Sequence, residues 1–218
     1  MFMDKLRLGL STKPLLKHKF YQLWSTGDLS KEVLIDYAKQ YYCFINTFPR
    51  YISLVHSKCE NEISRRILLD NLILEGYGRN NKAKSWRDFA ANLGLIEYDI
   101  EHAVPNKTTE FVIDKCWSLC NESYASGLGM LYSHEFQAPK IALMQLDTLK
   151  KFYNMKNQDA LAFFRGYKDD EWDPDKIATL IVKLFDDEQI IVFNSAIASS
   201  SAMWTFLDGI MIANKLDN

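Results

Sequence analysis

The chain has no excess of charge of either sign. Its 26 Lys and Arg stand against 28 Asp and Glu, a formal net charge of −2. The basic residues, among them Lys13, Lys17, Lys19, Arg65, Arg66 and Lys84, are scattered and form no stripe. That distribution excludes the electrostatic footprint of a nucleic-acid-binding protein. Glycine and proline are sparse, nine and five in 218 residues. No Pro- or Gly-rich linker divides the chain, so residues 1–218 read as one domain. Cysteine is sparse as well. Cys116 and Cys120 fall four apart on one helix face without two further zinc ligands nearby, and together with Cys43 and Cys59 they read as reduced core thiols. The opening MFMDKLRLGL lacks the long apolar run and cleavage site of a secretory signal. The most apolar stretch, residues 189–213, is interrupted by Asn194, a serine cluster and Asp208, which reads as a buried helix and not a membrane span. The expectation is a cytoplasmic protein with no membrane partner.

What is present is a helical pattern. The 48 % hydrophobic and 13 % aromatic content supports a sizeable core. In residues 29–59, Ser30 supplies an N-cap, Glu32 sits in the first turn, and Leu34, Tyr37, Tyr41, Ile45 and Phe48 recur on one face. Pro49 is expected to kink that helix or end it. Residues 60–75 repeat the pattern with Ile63, Ile67, Leu68 and Leu72, and 85–94 forms a shorter helix stopped by Gly94. Residues 108–135 read as one long helix, with a break at Pro139 before 140–154. Asp173 and Pro174 mark the start of another helix over 173–185. No segment alternates like a strand and nothing repeats at a fixed period. The reading is an all-α bundle of seven or eight helices.

Such bundles build sites from side chains pointing inward from several helices. The candidates are Glu75, Glu135 and the acidic cluster KDDEWD (168–173), which contains Asp170. Residues 20–59 and 65–75 resemble the haem-oxygenase-like proteins grouped with PqqC and TenA. The resemblance continues through YASGLGMLYSHEFQAPKIA (124–142) and MWTFLD (203–208), and is greatest for the CADD-like branch (chlamydial protein associating with death domains). It implies a compact bundle of seven or eight helices around a central cavity.

The resemblance also implies a di-metal site with carboxylate and histidine ligands, and here this sequence departs from it. Glu75 and Glu135 match the two glutamate positions, but the histidine seven residues after Glu75 is Lys82. The group His-x-x-x-Asp-x-x-His falls on Gly166, Asp170 and Asp173, which keeps only the Asp. Oxygen ligands alone favour harder cations than iron, so the expected cofactor is none, or weakly bound Fe or Mn on Glu75, Glu135 and Asp170. Lys82 either supplies the positive charge to Glu75 or Glu135, or is a solvated lysine in a loop rich in Gly and Asn. Asp173 reads first as the helix cap. Tyr21 matches a reactive tyrosine of CADD-like enzymes but equally suits the core, and Gln145 replaces a lysine that some members carry. His134, about 100° around the helix from Glu135, reads as a cavity or surface group.

Three functions follow. One is an oxidoreductase of cofactor biosynthesis, of p-aminobenzoate/folate or quinone type, with a degenerate metal site. In it Tyr21, Tyr42 and Lys82 hold an anionic aromatic ligand and manage protons, while His134, Glu135 and Glu75 line the cavity. Another is a pseudoenzyme or binding protein that keeps the fold and cavity. By resemblance only, a homodimer and a death-domain partner are implied. The third, thiamin hydrolysis of the TenA type, fails because its cysteine region reads Tyr132 and Ser133 and its glutamate position reads Met203.

Overall fold

The computed structural model describes residues 1–77, 81–167 and 174–216. Among these, eleven α-helices and one 3₁₀ turn (Leu15–Lys17) follow one another without a strand. In chain order the helices are α1 (Phe2–Thr12), α2 (Lys19–Thr26), α3 (Lys31–Ser57), α4 (Glu62–Gly76), α5 (Lys82–Asn92) and α6 (Glu97–Glu101). They continue with α7 (Lys107–Glu122), α8 (Tyr124–Phe152), α9 (Ala162–Gly166), α10 (Pro174–Ile181) and α11 (Asp186–Ala213). The all-α bundle read from the sequence is the architecture found. Its division is finer than seven or eight helices because short pieces such as α6 and α9, five residues each, occupy the connections.

Local chemistry sets most of the boundaries. Ser30 caps α3 by accepting the Val33 N–H, and Asn61, Asn81 and Asn106 cap α4, α5 and α7 in the same way. Gly94, at φ +97°, turns the chain just past α5 in a left-handed conformation that a side chain disfavours. The break expected at Pro139 is corrected, and of the two alternatives for Pro49 the one that ends the helix falls away. Pro49 lies within an unbroken α3 and Pro139 within an unbroken α8. A proline removes one N–H from the ladder, and burial of Phe48, Tyr51 and Ile52, or of Ala138, Ile141 and Ala142, holds each helix across that gap. The break comes instead at Ser123, in extended conformation, whose side chain accepts the Ser126 N–H. The single helix expected over 108–135 is therefore two.

Three long helices form the frame. α11 packs most extensively on α8 and then α7, while α3 packs on α7, α4 and α5. By length and composition α11 is long and apolar enough to cross a membrane, but its Val192, Ala196, Met203, Phe206 and Ile210 are buried in the bundle. The core is strongly aromatic. Tyr37 stacks on Tyr41 at 5.5 Å and meets Trp24 edge-on at 5.3 Å, while Trp86 donates from Nε1 to the Ala38 carbonyl at 2.8 Å.

α8 and α11 approach closely where Gly129 faces the backbone of Val192, and a Cβ at Gly129 would be driven into the Val192 carbonyl oxygen. Backbone cannot yield as a side-chain tip can, so Gly129→Ala is expected to cost about 2 kcal/mol, within the usual range for overpacking. Urea denaturation checks this, and an unchanged midpoint would mean that the contact is slack.

Candidate functional site

Helix α4 is built inside out. Its buried face carries Ser64, Leu68, Asn71 and Glu75, at the four-three-four spacing of one stripe, while Ile63, Ile73 and Leu74 face solvent. Burying polar groups in place of available apolar ones costs free energy unless they are paired. The partners come from α5 and α8.

Lys82, the first residue of α5, donates from Nζ to Glu75 Oε1 at 2.8 Å. The side chains are 7 % and 0 % exposed, so this pair is fully internal. Its ammonium also lies 4.5 Å from the centre of the Tyr167 ring. Asn71, one turn before Glu75, donates from Nδ2 to Glu135 Oε1 at 2.7 Å. Four residues from three helices thus form one buried polar cluster, with Glu75 Oε2 and Asn71 Oδ1 lacking a hydrogen-bond partner among the described residues.

Beside this cluster lies a cavity lined by Tyr21, Tyr37, Tyr41, His134, Gln145 and Tyr167, with apolar walls from Phe163 and Met203 among others. The Tyr21 and Tyr37 hydroxyls lie 3.1 Å apart and share a hydrogen bond. The space open to the centre of a water molecule is about 20 Å³, room for about one water. Tyr167 and His134 join the two parts. Tyr167 lines the cavity with its ring over Lys82, and His134 lines it one residue before Glu135.

Burial dominates the titration of these groups. It raises Glu75 and lowers Lys82, and each partner's charge pulls the other back toward ionisation. Burial lifts Glu135 to about 8, against the Asn71 hydrogen bond and the Lys82 charge, which lower it. Burial and Lys82 hold His134 down at about 3, so its imidazole is neutral, and burial raises Tyr21 to about 12. Burial thus draws Glu75 and Lys82 each toward its neutral form while their pairing opposes it, and Glu135 beside them still carries its proton at neutral pH.

Of the residues singled out in the sequence, Glu75, Lys82 and Glu135 come together, and Tyr21 and His134 line the adjoining cavity. Lys82 is the internal cation, not the solvated loop lysine. His134 faces inward, packed between Phe44 and Phe48. Tyr42 is corrected. Its hydroxyl accepts from Arg87 Nη1 at 3.0 Å, away from the cavity, because one residue along α3 turns it about 100° from Tyr41. Asp170, like Asp173, lies outside the described residues. Sequence reading missed Tyr37, Tyr41 and Asn71. The first two were visible as an i, i+4 pair on the buried face of α3, and Asn71 as the polar residue one turn before Glu75.

A haem-oxygenase-like bundle with a buried carboxylate cluster beside a central cavity is the class this geometry defines. The chain belongs to the TENA/THI-4/PQQC family, whose profile matches residues 7–173. It is 32 % identical over 212 residues to the 4-aminobenzoate synthase of Chlamydia trachomatis, covering 96 % of this chain and 92 % of that protein. It is 34 % identical to the 4-aminobenzoate synthase of Nitrosomonas europaea, with 92 % and 87 % covered. In fold it is similar to a TenA homologue from Pseudomonas syringae pv. tomato, with a TM-score of 0.81 at 16 % identity and 96 % and 92 % of the two chains covered. A CADD-like protein from Nostoc punctiforme gives a TM-score of 0.80 at 15 % identity, covering 96 % and 95 %.

The metal ions that the resemblance implies do not fit the described residues. The ammonium of Lys82 already occupies the hydrogen-bonding direction of Glu75 Oε1. Gly166, at the next imidazole position, presents no side chain and has open space beside its Cα. Among the described residues no three His, Cys, Asp or Glu side chains converge to hold a metal.

Glu135 gives the site a pH signature. Its folded pKa of about 8 lies above the ordinary glutamate value of 4.5, so folding takes up a proton between these limits. Its contribution to stability is complete below about pH 4.5 and is lost as pH rises through about 8. The expected slope is up to about 1.4 kcal/mol per pH unit within that window. Denaturation midpoints measured from pH 5 to 9 should fall for the wild type and fall less steeply for Glu135→Gln. Parallel curves would contradict a protonated Glu135.

Proposed function

We propose that this chain acts in the biosynthesis of an aromatic-acid cofactor precursor of the 4-aminobenzoate kind, as an oxidoreductase-family protein whose metal-ligand set is broken at Lys82. The observation that carries this reading is the placement of one fixed cation and one protonated carboxyl directly behind a tyrosine-lined cavity. Its relatives named 4-aminobenzoate synthase support the substrate class.

In this reading the aromatic walls, Phe163 and the tyrosines, bind a flat ring. The Lys82–Glu75 pair turns its ammonium end toward the Tyr167 ring, the polarity that suits an anionic ligand. Glu135 holds a proton at neutral pH and releases it near pH 8, which suits it to act as an acid. The paired Tyr21 and Tyr37 hydroxyls pass a proton between them and orient an oxygen of the ligand. These residues move protons and hold charge.

One observation favours a second reading, a binding protein that keeps the fold without the reaction. The cavity holds about one water, so a benzoate-sized ring enters only after side chains move. Growth of a bacterium that requires 4-aminobenzoate separates the two. The wild-type chain is expected to restore growth without supplement. Tyr21→Phe and Glu135→Gln, soluble and helical by circular dichroism, should reduce 4-aminobenzoate production roughly 100-fold. Absence of rescue by soluble wild-type protein would reject the first reading in favour of the second.

A further inference from the structure

We propose that Lys82 is a built-in cation that takes the place of a metal ion, so that the charge needed by the buried carboxylates is supplied by the chain itself. This inference does not rest on the aromatic-acid reading and holds whichever ligand the cavity takes.

The position of Lys82 in its helix is the first argument. It opens α5, whose first turn contains no acidic residue. The N-terminal end of a helix carries the positive pole of the peptide dipoles, and a cation is disfavoured there. Local helix preference therefore does not explain a lysine at this place, still less a buried one. What holds the ammonium is across the gap, Glu75 Oε1 at 2.8 Å on the last turn of α4.

The converse holds for Glu75. Its side chain is completely buried, and Oε2 has no hydrogen-bond partner among the described residues. An isolated carboxylate in that setting is prohibitively costly, and the ammonium is the group that offsets it. Glu135, beside it, is met by the neutral amide of Asn71. Among the described residues the cluster thus holds one monovalent cation, paired with Glu75, while Glu135 is met by a neutral amide. A divalent ion entering between Glu75 and Glu135 would bring two positive charges against an ammonium whose anion is already paired.

Two predictions follow from exclusion by charge. Protein grown with added iron and manganese and then dialysed should carry well under one equivalent of either metal, and its melting temperature should be unmoved by Mn²⁺ or by a chelator. Lys82→His, which exchanges the ammonium for a neutral donor, should take up Mn²⁺ or Zn²⁺, with a rise in melting temperature on adding the ion. A third prediction concerns the pair. Lys82→Met strands the Glu75 carboxyl and should lower the melting temperature by about 10 °C. The double variant Lys82→Met/Glu75→Gln, which removes both charges, should regain most of that loss even if the single variant is too unstable to purify in quantity.

Stoichiometric iron or manganese in the wild type that is lost in Glu75→Gln would overturn the proposal. So would a Lys82→His protein as indifferent to metals as the wild type, or a double variant no more stable than Lys82→Met.

Discussion

An ammonium and a carboxylate, both sealed from water 2.8 Å apart, constrain much of what surrounds them. Burying either group alone costs several kcal/mol, a large share of the stability of a domain of this size. Once Glu75 points inward, α4 must turn its polar stripe to the core and leave Ile63, Ile73 and Leu74 outside. Once Lys82 must reach Glu75, α5 has to begin at that residue, and Asn81 caps it there by accepting the Lys84 N–H. The junction of α4 and α5 is thus organised by electrostatics, and a hydrophobic stripe alone would have oriented α4 differently.

The same pair sets the chemistry of its neighbours. Lys82 lowers the affinity of His134 for a proton and opposes the burial that raises Glu135. The site therefore presents a neutral imidazole and a protonated carboxyl side by side on α8. The Tyr167 ring lies over the ammonium and also lines the cavity, so the fixed charge is felt there without direct contact. Tyr37 and Tyr41 of the cavity wall pack against the core rings of Trp24 and Trp86.

Much of this was legible in the sequence. The three-and-four spacing of α3, the Ser30 cap, the Gly94 stop and the Pro174 start were local signals, and the structure follows them. The meeting of Glu75 with Lys82 was legible as one of two alternatives, because the family resemblance puts Lys82 where a ligand histidine would face Glu75. Other features depend on tertiary context. Whether a proline breaks a helix depends on how firmly its flanks are buried, so Pro139 misled. Ser123 ends one helix and caps the next through its side chain, a role that depends on the local chain reversal. Tyr42 and Tyr41 are adjacent in sequence, and only the rotation of α3 against α2 and α8 decides which of them faces the cavity.

The most direct measurement is anomalous X-ray scattering at the iron and manganese edges, from crystals grown with both metals present. If the lysine ammonium is the resident cation, no anomalous peak appears between Glu75 and Glu135, and ordinary density there continues from Cε of Lys82 to a nitrogen within hydrogen-bonding distance of Glu75. A strong anomalous peak at coordination distance from both carboxylates, with the lysine side chain turned away, would contradict the account.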